Sequence, residues 1–416
     1  VRVLCSVTGS PSHARAMLPV ASAVARAGHQ VLAVVPAALT HVFAGENFPV
    51  RAVLGPIEDI LRDQLASGEL TLDQLTDATV MIREFVGGPQ VTRNVGTILP
   101  IAREFRPDLV LRDGTECAGM LVAEALGVPQ VSVPSGGGNL VDPVGLVDHL
   151  NRRRREIHLP EQGPDALYRH GRLDCVPHRY TFNTHDVPPA IAYRQPDTVA
   201  DREALPSWVS ELDPTRPLVF GAVGTALSMV LDAPPQPGLE DTPPMRDPAE
   251  GLRAIIEGLG RLDCAAIVST GGVPLPDIPH PSNVHVVTGI AQPLLLQCAD
   301  LFVTHGGYNS IRESLRAGVP MAVVPQFGDQ PVNADRVAEL GLGRHVVEQT
   351  ADGVASACSD LLTDRTTTGT VRAAQREMLA LPHVDQVVRR LEEIAAGAGQ
   401  VHAADQADTA VGAGRG

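Results

Sequence analysis

Residues Thr304–Gln330 read THGGYNSIRESLRAGVPMAVVPQFGDQ, and the fold turns on this stretch. An apolar run, Leu301–Val303, leads into it and has the composition of a buried strand. His305-Gly306-Gly307 follow at once, and Asn309 and Ser310 open a helical pattern that runs to Ala317. Gly318 and Pro320 stop that helix, and Met321–Val324 is a second short apolar strand. The unit is strand, glycine-rich turn, helix, strand. The first N–H groups of such a helix have no partner within it, so the turn suits an anion, above all phosphate. Glycine lets the backbone approach that anion with no Cβ in the way. Taken alone, the turn also fits an ordinary βαβ connection with a surface histidine.

The same alternation extends in both directions. A strand at Val1–Val7 precedes a helical pattern up to Ala27, and a strand at Gln30–Pro36 precedes helical stretches between Pro56 and Phe105. Asp108–Asp113 reads as a strand, Thr115–Leu126 as a helix, and Gln130–Pro134 as a strand entering Ser135-Gly136-Gly137-Gly138. Such alternation predicts an α/β protein with parallel sheets covered by helices. Ligands then bind beyond the C-terminal ends of the strands, where His13, Asp113 and the Ser135–Gly138 loop fall. The run Asn151–Arg155, NRRRR, reads as a solvated helix face. Residues Pro188–Pro217 are rich in proline and polar groups and read as a linker in which Trp208 packs.

Beyond the linker the alternation restarts. A strand at Leu218–Val223 ends in Gly224-Thr225, and a Pro- and Gly-rich insertion over Leu231–Pro248 reads as a mobile loop. Helix Ala249–Leu262 and strands Ala265–Ser269 and Val284–Thr288 lead to the opening stretch, and helices Gln330–Leu340, Ala351–Leu362 and Val384–Ala396 follow it. The domains expected are 1–205, 206–382 and a helix at 383–397 packing back on the first domain, with a disordered tail over 398–416.

Composition narrows the chemistry. The chain has 416 residues, enough for two cores, and 44% hydrophobic content. A net charge of −15 argues against nucleic acid or an anionic membrane as partner, so a phosphate site must rely on local dipoles. No lysine occurs, which removes Schiff-base and P-loop lysine chemistry. The six cysteines are scattered, with no zinc spacing, and read as buried reduced thiols. No run reaches membrane-spanning length and no leader pattern opens the sequence, so a cytoplasmic enzyme, monomer or homodimer, is expected.

The pattern H-G-G-x-N-S-x-x-E, then G-V-P, then D-Q, is met by His305, Gly306, Gly307, Asn309, Ser310, Glu313, Gly318-Val319-Pro320 and Asp329-Gln330. It resembles the donor-binding signature of inverting, family 1, GT-B-fold glycosyltransferases that decorate natural products. The N-terminal half is similar too, through Thr8–His13, Pro19, Gly28-His29 and Arg106–Val110 before Asp113. The resemblance implies two Rossmann-like domains facing across a cleft. It further implies metal-independent transfer of a hexose or deoxyhexose from a TDP- or UDP-sugar to a small aglycone, with the sugar nucleotide as co-substrate and no cofactor.

Site roles follow from the same resemblance. His305 contacts the donor phosphate as a cationic or neutral hydrogen-bond donor. Gly306, Gly307, Asn309 and Ser310 frame the diphosphate, and Thr225 adds a hydroxyl to it. Glu313 takes the ribose hydroxyls, Gly289, Ile290 and Gln292 flank the base, and Asp329 and Gln330 hold the sugar. Many relatives carry an aromatic ring where Gly289 stands, so base stacking here comes from elsewhere or is weak. His13 is the expected general base and Asp113 its partner, which fixes the tautomer and offsets the developing imidazolium. Glu116 could substitute for Asp113, or Asp113 could merely cap a helix. Phe85, Ser135, Gly136 and Gly137 are expected at the acceptor. A nucleotide-sugar epimerase and a non-catalytic nucleotide-sugar-binding accessory protein are the alternatives. A dinucleotide dehydrogenase is disfavoured, because TGSPSH after the first strand lacks G-x-G-x-x-G.

Overall fold

A computed structural model describes residues 1–56, 78–196, 203–224, 248–275 and 280–397. The chain divides into two compact units. Unit 1 comprises Val1–His178, Asn183–Gln195 and the segment from Pro382 onward; unit 2 comprises Arg179–Phe182 and Pro196–Leu381.

Unit 1 is built on a five-stranded parallel sheet in the order β3-β2-β1-β4-β5. Its strands are β1 (Arg2–Ser6), β2 (Gln30–Pro36), β3 (Val50–Leu54), β4 (Leu109–Asp113) and β5 (Gln130–Val133). Successive strand residues point to opposite faces, so Val3 and Cys5, with Leu109 and Leu111, enter one apolar cluster. Leu4 and Val110 enter the other. Both faces are covered, which is why these strands are continuous apolar runs rather than alternating ones. The first face is closed by the Pro11–Arg26 helix and by a helix over 384–397, whose Val384, Val387, Val388 and Leu391 are buried there. His29 Nε2 meets Glu392 Oε1 at 2.7 Å beside that seam. A two-stranded ladder, β6 (Leu173–Asp174) with β7 (Ile191–Ala192), lies later in the same unit.

Unit 2 holds a six-stranded parallel sheet in the order β10-β9-β8-β11-β12-β13. The strands are β8 (Leu218–Ala222), β9 (Ala265–Ser269), β10 (Val284–Val287), β11 (Leu301–Thr304), β12 (Met321–Val323) and β13 (Gly343–His345). Phe302 of β11 is in register with Phe220 of β8, and their rings stack at 5.0 Å. Counted from its own first strand, this sheet has the order 3-2-1-4-5-6, and unit 1 has 3-2-1-4-5. In each, the chain reverses direction between its first and fourth strands, and loops there leave a crevice at the C-terminal edge.

The structure departs from the sequence expectations in several elements. β3 and β13 were not foreseen: β3 shows mostly exposed residues and β13 is the short polar run Gly-Arg-His. The 16-residue helix Arg365–Ala380 was also missed. Its Thr-Thr-Thr-Gly-Thr start has poor helix propensity, and it is fixed instead by Asp364, whose carboxylate accepts from Thr366 N and Thr367 N, and by buried Val371, Ala374 and Met378. Gly114 and Thr115 form a turn, and the helix there begins at Ala118. The arginine run is no solvated face, because Arg153 and Arg154 are buried and Arg154 makes paired bonds of 2.7 and 2.8 Å to Glu124. Cys298 is exposed, whereas the other five thiols are buried and all six are free. Trp208 stacks on His285 at 4.9 Å. The insertion reading over 231–247 and the tail reading over 398–416 fall outside the described residues. Among the described residues no helix is long and apolar enough to cross a membrane.

Candidate active site

In unit 1, β1 and β4 are neighbours, with Ser6 opposite Arg112. The loop after β1 therefore lies beside the end of β4. Gly9 takes φ +81°, and a Cβ there would stand 3.3 Å from His13 Cε1 and Nδ1, so the imidazole lies against a glycine backbone. His13 sits in the first turn of the Pro11–Arg26 helix, which begins with proline at a position where no N–H is needed. Its Nδ1 is 2.9 Å from Asp113 Oδ2, and the two side chains are 16% and 2% exposed. The sequence expectation of a His13–Asp113 contact is matched by this distance.

Asp113 is fully engaged. Its Oδ1 accepts from Thr115 N at 2.9 Å and from Thr115 Oγ1 at 2.6 Å, while Oδ2 faces His13. Burial is the largest influence on this carboxyl and opposes ionisation, yet His13 and the two Thr115 donors together hold its pKa below the usual range. Glu116 does not replace it: its carboxylate receives Ser6 Oγ and, at 2.8 Å each, the amides of Ala118 and Gly119. Burial pushes Glu116 up, against those donors.

Behind the pair lies Arg112, with no exposed surface. Its guanidinium donates to Gln130 Oε1 at 2.9 Å, Leu167 O at 2.6 Å, and Asp113 O and Gly114 O at 3.2 Å each. Carbonyl-type oxygens thus satisfy the cation and pin the turn after β4.

The Ser135–Gly138 loop packs on that turn. A Cβ on Gly114 would stand 2.7 Å from Ser135 Oγ and 3.0 Å from Gly138 Cα, and one on Gly137 would stand 2.9 Å from Thr115 Cγ2. Ser135 is buried and accepts from Gly138 N at 3.2 Å; Gly136 and Gly137 are half-buried. Phe85 is half-buried against the core of unit 1. Ser135 and Gly137 therefore lie beside the Asp113 turn, whereas for Phe85 the structure shows only core contact.

Unit 2 uses the equivalent position. β8 and β11 are neighbours, with Ala222 opposite Thr304, and the loop after β11 carries His305. A Cβ on Gly224 (φ +77°) would be 2.6 Å from His305 Nε2, and one on Gly307 would be 2.4 Å from it. Two glycines thus clamp the ring. His305 is 9% exposed, and its Nδ1 is buried with no hydrogen-bond partner. Burial lowers its pKa to about 4, against a small opposing effect of its backbone bond to Ala222. That shift favours the neutral imidazole in the absence of a bound anion.

The rest of the turn is cross-braced. Gly306 takes φ +86°, and its carbonyl accepts from Asn333 Nδ2 at 2.9 Å. The same amide reaches Asp329 Oδ2 at 2.7 Å. Gln292 Nε2 donates to Glu313 Oε2 at 2.7 Å and to Ser310 Oγ at 3.2 Å. Asn309 Oδ1 accepts from Arg312, inside the Tyr308–Ala317 helix. Gln330 is buried, and its Oε1 accepts from Gln326 N at 2.8 Å and Phe327 N at 3.2 Å, so that oxygen is committed to the loop. Gly289 is exposed, with nothing within 4 Å of where a Cβ would be, and Ile290 beside it is half-buried. Thr225 lies outside the described residues. Sequence reasoning missed Thr115, Gly224, Arg112 and Asn333; only Asn333 carried a signal, one helical turn after Asp329.

Residues 253–394 match the family model described as erythromycin biosynthesis protein CIII-like, C-terminal domain. The chain is 26% identical to L-demethylnoviosyl transferase of Streptomyces niveus, across 91% of this chain and 93% of that one. Among solved structures, spinosyn forosaminyltransferase SpnP superposes with a TM-score of 0.71 at 21% identity, covering 95% of this chain and 99% of the other. Spinosyn rhamnosyltransferase SpnG complexed with thymidine diphosphate gives 0.70 at 20% identity, covering 94% of this chain and all of that one. The fold is GT-B.

Proposed function

We propose that the chain is a family 1, GT-B glycosyltransferase of natural-product type that moves a hexose or deoxyhexose from a TDP- or UDP-sugar to a hydroxyl of a small aglycone, inverting the anomeric centre. The observation that carries the reading is His13 Nδ1 2.9 Å from a buried, ionised Asp113. An alcohol or phenol is a weak nucleophile until its proton is removed. With Nδ1 engaged by Asp113, Nε2 of His13 is the nitrogen that takes this proton as the acceptor oxygen bonds to C1. The C1–O bond to the diphosphate breaks on the opposite side, and the nucleoside diphosphate leaves with the bonding electrons. Asp113 offsets the charge that forms on the imidazole and holds its tautomer.

Unit 2 carries groups suited to a departing diphosphate. Neutral His305 and the amides that open the Tyr308–Ala317 helix supply hydrogen bonds and the positive end of a helix dipole. Glu313, oriented by Gln292, takes the ribose hydroxyls, and Asp329, oriented by Asn333, takes hydroxyls of the transferred sugar. The relative held in complex with thymidine diphosphate favours TDP as the nucleotide.

The test is transfer from TDP-glucose to a panel of phenols and secondary alcohols, comparing wild type with His13→Ala and titrating TDP into both. Loss of transfer with TDP affinity kept is the expected result; transfer at the wild-type rate by His13→Ala refutes the base. Altered sugar nucleotide released without any acceptor would instead mark an epimerase.

A further inference from the structure

Asp113 presents two oxygens, and only one faces His13. The other is gripped by a single residue, Thr115, through both its amide (2.9 Å) and its hydroxyl (2.6 Å). Thr115 is 3% exposed, so water does not compete for these bonds. Its own backbone is held in turn, because the carbonyls of Asp113 and Gly114 both receive Arg112 and Glu116 N returns to Asp113 O at 3.0 Å. On its far side, Thr115 Cγ2 abuts Gly137 of the Ser135–Gly138 loop, which leaves no room for a Cβ there. The side chain therefore has one packed orientation, with the hydroxyl on the carboxylate and the methyl on the loop.

We propose that Thr115 is a positioning residue: it holds the carboxylate of Asp113 so that Oδ2 stays directed at His13 Nδ1. This rests on the reading of His13 as the base. Without the hydroxyl, only the Thr115 amide still holds Oδ1, and the carboxylate has more freedom to turn about its Cβ–Cγ bond away from the imidazole. An Asp113 with fewer donors also carries more unshared negative charge, which favours the protonated pair whichever partner holds the proton.

The experiment compares Thr115→Ala, which removes hydroxyl and methyl, with Thr115→Ser, which keeps the hydroxyl. His13→Ala is the control. TDP-glucose and 4-methylumbelliferone serve as substrates, and the His13 ring is followed by proton NMR across pH in full-length protein. For Thr115→Ala the expected result is kcat down by about tenfold, a fraction of what a general base supplies. KM for TDP-glucose stays unchanged, and both the acid limb of the kcat profile and the His13 titration move to higher pH. Thr115→Ser stays near wild type in all three. Should Thr115→Ala fail to fold, Thr115→Val keeps the volume without the hydroxyl and carries the same expectation. Wild-type kcat and His13 titration in the hydroxyl-free variant, with His13→Ala inactive, overturns the inference alone. Full turnover by His13→Ala removes the base and this inference with it.

Discussion

Gly307→Ala isolates the anion-binding role proposed for His305. Gly307 has φ −63° and ψ 135°, a conformation alanine adopts freely, so the backbone contributes no strain. The new methyl would lie 2.4 Å from His305 Nε2, against 3.4 Å for ordinary contact. The ring must retreat by about 1 Å, and steep geometric weakening ends any hydrogen bond aimed from it. A hydrogen bond to a charged group is worth about 1.5–3 kcal/mol, so TDP should bind roughly ten- to a hundredfold more weakly. Isothermal titration with TDP reads this directly. His305→Ala should lose about as much, and the double variant little more, because the second change has nothing left to displace. Wild-type TDP affinity in Gly307→Ala refutes the reasoning; so do losses that simply add in the double variant.

Other outcomes follow from the same geometry. TDP affinity should be insensitive to His305 across pH 5–8, since burial keeps that imidazole neutral above about 4; titration at several pH values checks it. The depressed pKa also carries a stability cost in acid: an unfolded histidine protonates near 6.5 and the folded one near 4, so stability falls as pH drops through that window, by roughly 3 kcal/mol in all. Denaturant melts of His305→Gln, which lacks the titration, should show a shallower acid decline. Asp113→Asn should lower kcat by about a hundredfold or more while TDP binding stays intact, as stopped assays and calorimetry will read. Arg112→Met strands the carbonyls it serves and should destabilise unit 1 by about 3 kcal/mol or more, with Arg112→Lys no rescue, because a single ammonium cannot span that fork of acceptors; unfolding followed by near-ultraviolet circular dichroism measures both.

The central strands of both sheets were legible because each is buried on two faces and leaves an unbroken apolar run. The motif residues were legible because they cluster in one turn and one helix. What stayed hidden has a common cause. Edge strands such as Val50–Leu54 are half-solvated and lose the apolar signature. The Arg365–Ala380 helix is imposed by packing and one aspartate cap against its local propensities. Arg154 looked like surface because charge normally means water, and only a partner 30 residues earlier, Glu124, makes it a core residue. Gly224 acts through a contact between the loops that follow neighbouring strands, β8 and β11, which spacing along the chain does not encode.

The connectivity of the units bears on how such enzymes can be recombined. The first unit is not one segment: it closes with the helix over 384–397, whose Val384, Val387, Val388 and Leu391 fill the cluster formed by Val3, Met17 and Val20. Each of those four side chains is worth about 1.5–3 kcal/mol of burial, together as much as a typical domain's entire stability. A hybrid spliced once, near Gln195, would take its first unit from one parent and the closing helix from another, with mismatched side chains in that core. A hybrid spliced twice, near Gln195 and again near Leu381, would keep the first unit's hydrophobic core within a single parentage. The second crossover is thus the design rule this chain imposes on anyone exchanging its second unit.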